Sequence, residues 1–133
     1  MCGIAVIIGE RNKGRMKKMM LKMKHRGPDE KGTFFKGDVS FGHLRLSIID
    51  LNTGTQPIFN ETGDKCIMLN GEIYNFRNLY DELKDKHTFS TKTDTEVIIH
   101  LYEEYGESCI DYLEGMFCFA IYDNGKVFIA RDR

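Results

Sequence analysis

Near its end the chain reads Met116–Asp123, Asn124-Gly125, Lys126–Arg131: two strand-like apolar runs joined by the dipeptide that most strongly signals a tight hairpin. Asn-Gly supplies two backbone positions that tolerate positive φ, so the chain reverses and its flanks pair antiparallel. Whatever else forms must pack on that sheet.

Other segments supply the partners. Residues 3–8 read as a buried strand, short and β-branched, closed by Gly9. Residues 15–24 read as a helix with Met16, Met19, Met20 and Met23 on one stripe and Lys17, Lys18, Lys22 and Lys24 elsewhere. Such a stripe can be an adaptable binding groove or plain core, and core is the expectation. Gly27-Pro28 ends this helix. Strands are expected over 32–36 and 39–49, a loop over 52–65, and strand-like runs at 66–69 and 72–76 around Asn70-Gly71. Helices are expected over 76–86 and 94–105, the second opened by Thr93-Asp94-Thr95-Glu96. The order implies a single α+β domain with antiparallel hairpins.

Composition excludes several classes. The chain has 133 residues, 41% hydrophobic and 29% charged, ordinary for a globular protein. No apolar run approaches the ~20 residues of a membrane span, and no export signal opens the chain. A cytoplasmic location is the default expectation. Cys2, Cys66, Cys109 and Cys118 form no CxxC pair and the four His show no ligand spacing, so neither a metal site nor a disulfide framework is expected. Residues 10–26 carry eight Lys and Arg against a single Glu. That stretch suits nucleic acid, an anionic membrane, or a helix with a solvated cationic face; a net charge of −1 favours the last.

Four positions invite chemistry. Removing Met1, which a small second side chain permits, would leave Cys2 with a thiol and a free α-amine. The amine titrates near ~7.7–8.0 and so can take the thiol's proton; alternatively Cys2 is a small hydrophobe on the first strand. Asn70-Gly71 is either a hairpin turn or an oxyanion hole built from the Asn amide and the Gly N–H. Arg45, in the apolar run Leu44-Arg45-Leu46-Ser47-Ile48-Ile49, needs a carboxylate if it points inward. Asp50 and the α-carboxylate of a bound amino acid are equal candidates. Asp94 is either a helix N-cap or a receptor for a ligand ammonium.

Eight stretches carry a family resemblance: Met1-Cys2-Gly3-Ile4, His25-Arg26-Gly27-Pro28-Asp29, Arg45-Leu46-Ser47-Ile48-Ile49-Asp50, Gln56-Pro57, Asn70-Gly71-Glu72-Ile73-Tyr74-Asn75, Thr93-Asp94-Thr95-Glu96, Gly115-Met116-Phe117-Cys118-Phe119-Ala120 and Ala130-Arg131-Asp132-Arg133. In this order they resemble the class II, N-terminal-nucleophile glutamine amidotransferase domain, and its asparagine synthetase branch in particular.

The resemblance implies the four-layer αββα sandwich of N-terminal-nucleophile hydrolases. It implies Cys2 as nucleophile, and Asn70 with the Gly71 N–H as oxyanion hole. It implies Arg45 as clamp for the glutamine α-carboxylate, and Asp94 with Glu72 and Gly71 as receptor for the α-ammonium. Backbone carbonyls around Ile48 and Ile49 would help position the substrate. The implied partners are L-glutamine, a synthetase domain in cis or in trans, and a second copy in a homodimer; nucleic acid and membrane are not expected. No cofactor is implied for this domain, whereas ATP and Mg²⁺ belong to the synthetase domain. The family pattern runs on past Arg133, so residues 1–133 are expected to be an incomplete domain without the ATP-dependent part. Two other readings are an amidotransferase domain serving a different acceptor and a non-catalytic, truncated remnant.

Overall fold

The computed structural model describes residues 2–47 and 54–133. The elements are β1 (Gly3–Ile8), α1 (Lys13–Lys22), β2 (Glu30–Lys36), β3 (Val39–Arg45), β4 (Ile58–Phe59), β5 (Lys65–Ile73), α2 (Phe76–Leu83), α3 (Asp94–Tyr105), β6 (Gly115–Asp123) and β7 (Lys126–Arg131). Turns of 3₁₀ helix cover Lys24–Arg26 and Gly106–Tyr112. Two antiparallel sheets form, one ordered β1-β3-β2 and the other β4-β5-β6-β7.

Strand alternation builds the layers. Ala5 and Ile7 of β1 pack with Leu44, Met16 and Met20 beneath α1, while Ile4 and Val6 turn the other way. Those two join Phe41, Cys66, Met68, Ala120 and Tyr122 between the sheets. The outer face of the second sheet, with Ile67, Leu69, Phe119 and Ile121, is covered by Leu79 and Leu83 of α2 and Val97, Ile98 and Leu101 of α3. The stacking is therefore helix, sheet, sheet, helix, the expected αββα sandwich.

The methionine stripe is core, with Met16 and Met20 buried and Met19 and Met23 packed beside them. The lysines of α1 face solvent. Asn12 caps this helix by accepting the Arg15 N–H at 2.8 Å.

The two Asn-Gly pairs behave differently. Asn124 and Gly125 have φ of 47° and 89°, and they close the β6–β7 hairpin as expected. Asn70-Gly71 forms no turn: β5 passes straight through, pairing Asn70 with Cys118 and Gly71 with Phe117. A hairpin there would require residues 66–69 to pair with the segment after Gly71, but β6 already occupies that edge along the whole strand. Glycine is needed for another reason. A Cβ at Gly71 would overlap the Met116 carbonyl and lie 2.6 Å from Phe117 Cα, at a φ of +156° that side chains rarely adopt. The expected strand over 39–49 ends at Arg45 among the described residues, and the loop over 52–65 contains the short strand β4.

Candidate active site

β1 and β3 run antiparallel with Gly3 opposite Leu44, which carries Cys2 to the Arg45–Leu46 end of β3. There the Leu46 N–H points at Cys2 Sγ at 3.4 Å, and Arg26 Nε donates to the Cys2 carbonyl at 3.0 Å. The thiol is half-buried and borders a cleft.

Arg45, Gly71, Glu72 and Asp94 line the same cleft, together with Gly54, Gln56, Thr93, Thr95 and Met116. Its cavity volume of about 90 Å³ holds roughly six to nine waters at ~10–15 Å³ each, the scale of one amino acid rather than a peptide.

Opposite charges stand on its walls. Arg45 is 4% exposed and donates from Nη1 to Glu30 Oε2 at 3.1 Å. Glu30 is not among the candidates the sequence offers; of those, Asp50, like Ile48 and Ile49, lies outside the described residues. Glu30 is found because β2 and β3 pair it directly across from Arg45, a register that spacing does not reveal. Hydrogen bonds from Thr55 and Arg45 hold the Glu30 carboxyl below its ordinary range, against partial desolvation.

Asp94 begins α3 but does not cap it; Thr93 does, accepting the Glu96 N–H at 3.3 Å. Asp94 Oδ2 instead accepts the Ile73 N–H at 2.9 Å, binding the end of β5 to the start of α3. Burial pushes the Asp94 carboxyl up, the Glu72 charge adds to this, and the Ile73 N–H works against it.

Gln56 is the feature that sequence reasoning quoted without a role. Its buried amide accepts the Leu69 N–H at 2.6 Å and donates to Thr95 Oγ1 at 3.2 Å. It thereby fixes the strand just before Asn70 against the first turn of α3.

Asn70 does not line the cleft that Cys2 borders. It stands in the adjoining one with Cys118 and Arg131, and Gly71 and Met116 form the shared wall. Asn70 Oδ1 is buried without a hydrogen-bond partner among the described residues, so its amide retains unused bonding capacity.

A profile of the glutamine amidotransferase domain matches residues 1–133. The chain belongs to the glutamine amidotransferase domain family. The amidotransferase domain is 43% identical to asparagine synthetase [glutamine-hydrolyzing] 2 of Arabidopsis thaliana over 98% of its length. It is 43% identical to asparagine synthetase [glutamine-hydrolyzing] of Zea mays over the same share. It spans about a quarter, 23%, of each of those relatives. Among solved structures it resembles glutamine phosphoribosylpyrophosphate amidotransferase from B. subtilis. The TM-score is 0.78 at 20% identity, covering 99% of this chain and 37% of the other, a likeness of fold. No helix among the described residues is long and apolar enough to cross a membrane.

Proposed function

We propose that this domain hydrolyses the side-chain amide of L-glutamine and passes the ammonia to a synthetase domain, in cis or in trans, which makes asparagine from aspartate. The observation that carries this reading is that a thiol, a buried guanidinium and a buried carboxylate, Cys2, Arg45 and Asp94, line one cleft of amino-acid size.

In this reading Arg45 takes the α-carboxylate, while Asp94 and Glu72 take the α-ammonium, which aims the side chain at Cys2. The α-amine of Cys2, freed of Met1, receives the thiol proton as sulfur attacks the amide carbon. Asn70 and the Gly71 N–H stabilise the oxyanion. The C–N bond then breaks, the Cys2 ammonium returns its proton to the departing nitrogen, and a γ-glutamyl thioester remains. Water cleaves it to glutamate. The reading assigns no metal to these steps; ATP and Mg²⁺ act in the synthetase domain. It includes a cytoplasmic setting, with a homodimer as the assembly to test.

A glutamine-like diazo ketone tests it. One adduct at residue 2, formed only in protein freed of Met1, together with ammonia release that a Cys2→Ala variant abolishes, is the expected result. Ammonia release equal to that of Cys2→Ala in a folded sample would overturn it and favour a binding-only domain.

A further inference from the structure

On the side of the second sheet away from Cys2's neighbours in β1 and β3, three segments bring together groups that are far apart in sequence. Glu61 lies in the loop after β4, His87 follows α2, and His100 and Glu103 share one face of α3. Four of their atoms converge. His87 Nδ1 is 2.9 Å from Glu61 Oε1 and 3.6 Å from Glu103 Oε2, and His100 Nδ1 is 3.9 Å and 3.0 Å from the same two oxygens.

These separations average close to the edge of a ligand tetrahedron, which is about 3.3 Å for bonds of ~2.0–2.1 Å to zinc. The ring nitrogens pointing away face carboxylates, as metal-bound imidazoles usually require. His87 Nε2 is 3.0 Å from Glu104 Oε1, and His100 Nε2 is 3.6 Å from Glu96 Oε1 with no closer partner among the described residues. The ligand carboxylates are held too. The Thr88 N–H donates to Glu61 Oε1 at 2.8 Å, and Asn60 Nδ2 donates to Glu103 Oε1 at 2.7 Å.

The two rings stack with centroids 4.5 Å apart and planes inclined by 26°, and His100 is fully buried, so the Nδ1 atoms of His87 and His100 are held side by side against the Glu61 and Glu103 carboxylates.

We propose that Glu61, His87, His100 and Glu103 form a tetrahedral site for a divalent first-row cation, Zn²⁺ above all, that staples the β4–β5 loop and the α2–α3 connection to α3. All four positions are filled by protein, which makes the site structural rather than hydrolytic. The connection it anchors leads through Thr93 to Asp94. The site is independent of the glutaminase reading, because none of its ligands borders the Cys2 cleft.

The test uses the whole chain in a Cys2→Ala background, so that the terminal thiol cannot chelate. Zn²⁺ affinity is measured by competition with a chromogenic chelator, and geometry by Co²⁺ absorption. One ion per chain and intense tetrahedral Co²⁺ bands are expected. Affinity should fall by at least ~100-fold in Glu61→Gln and His87→Ala, and by about 10–100-fold in Glu104→Gln. Glu61 is a surface side chain, so Glu61→Gln keeps the comparison valid if His100 variants do not fold. Zn²⁺ should also raise Tm in the parent and not in Glu61→Gln. Equal affinities in parent and Glu61→Gln, octahedral Co²⁺ spectra, or no Zn²⁺-dependent rise in Tm would each overturn the proposal.

Discussion

Arg45→Lys keeps a positive charge in the cleft but removes the planar fork that could grip a carboxylate with two parallel hydrogen bonds. Two losses must be separated. The Glu30 partner is 31% exposed at its side chain, so its bond with Arg45 is partly screened; a lysine that reaches it less well costs the fold about 1 kcal/mol. Substrate recognition loses more. A charge-assisted hydrogen bond is worth about 1.5–3 kcal/mol, and at ~1.36 kcal/mol per tenfold its loss lowers kcat/KM by about 10–150-fold. The α-carboxylate does not change as the amide breaks, so the bond to it is made equally in ground and transition states. The defect should therefore appear chiefly in KM for glutamine. Steady-state glutamate release over a range of glutamine concentrations, with a thermal melt on the same preparation, reads both losses. A kcat/KM within about threefold of the parent, in protein that melts normally, would remove Arg45 from substrate recognition. A loss confined to kcat would refute the ground-state argument.

Asn70→Ala should lower kcat by about 10²–10³ with little change in Tm, because its Oδ1 makes no hydrogen bond among the described residues; near-parental turnover would exclude it from the oxyanion hole. Gly71→Ala should cost about 2 kcal/mol or more of stability in denaturant melts, since β6 must move away from the new Cβ; an unchanged midpoint would mean that the strand relaxes freely. Burial pushes the thiols of Cys66 and Cys109 up to about 12, so peptide mapping after limited alkylation near pH 8 should find both unmodified in native protein and reactive after denaturation. Burial also lowers His43 to about 4, with the Arg45 charge adding to this and the Leu69 carbonyl opposing it. The unfolded chain then binds the extra proton first, so stability is complete above the ordinary value of 6.5 and falls by about 2–3 kcal/mol as pH drops towards 4. A flat stability profile across that window in chemical denaturation would contradict the buried neutral imidazole.

Much of the layer order was legible because apolar periodicity and layer are the same physical fact seen twice. The stripe Met16-Met19-Met20-Met23 had one face to bury, and α1 buries it on β1 and β3. Asn124-Gly125 fixed the last hairpin because positive φ at both residues leaves the chain no other course. The same dipeptide at Asn70-Gly71 misled, since a glycine demanded by a close-lying strand looks identical in sequence to one demanded by a turn. Cys2, Arg45, Gly71, Glu72 and Asp94 were brought to one cleft, while Asn70 stands across its wall. What spacing could not supply was pairing across elements. Glu30 meets Arg45 only through strand register, and His87 meets His100 only because the α2–α3 connection folds back on α3.

The bond from the Ile73 amide to Asp94 has an implication of its own. Under the proposed assignment Asp94 would also receive the substrate ammonium, and its lone pairs would then be divided between the two. Filling the cleft therefore alters the electron density felt by one identifiable amide in the sandwich. The nitrogen–proton resonance of residue 73 is thus a native gauge of occupancy, sensitive to the guest's amino end and indifferent to whether any bond is ever cut.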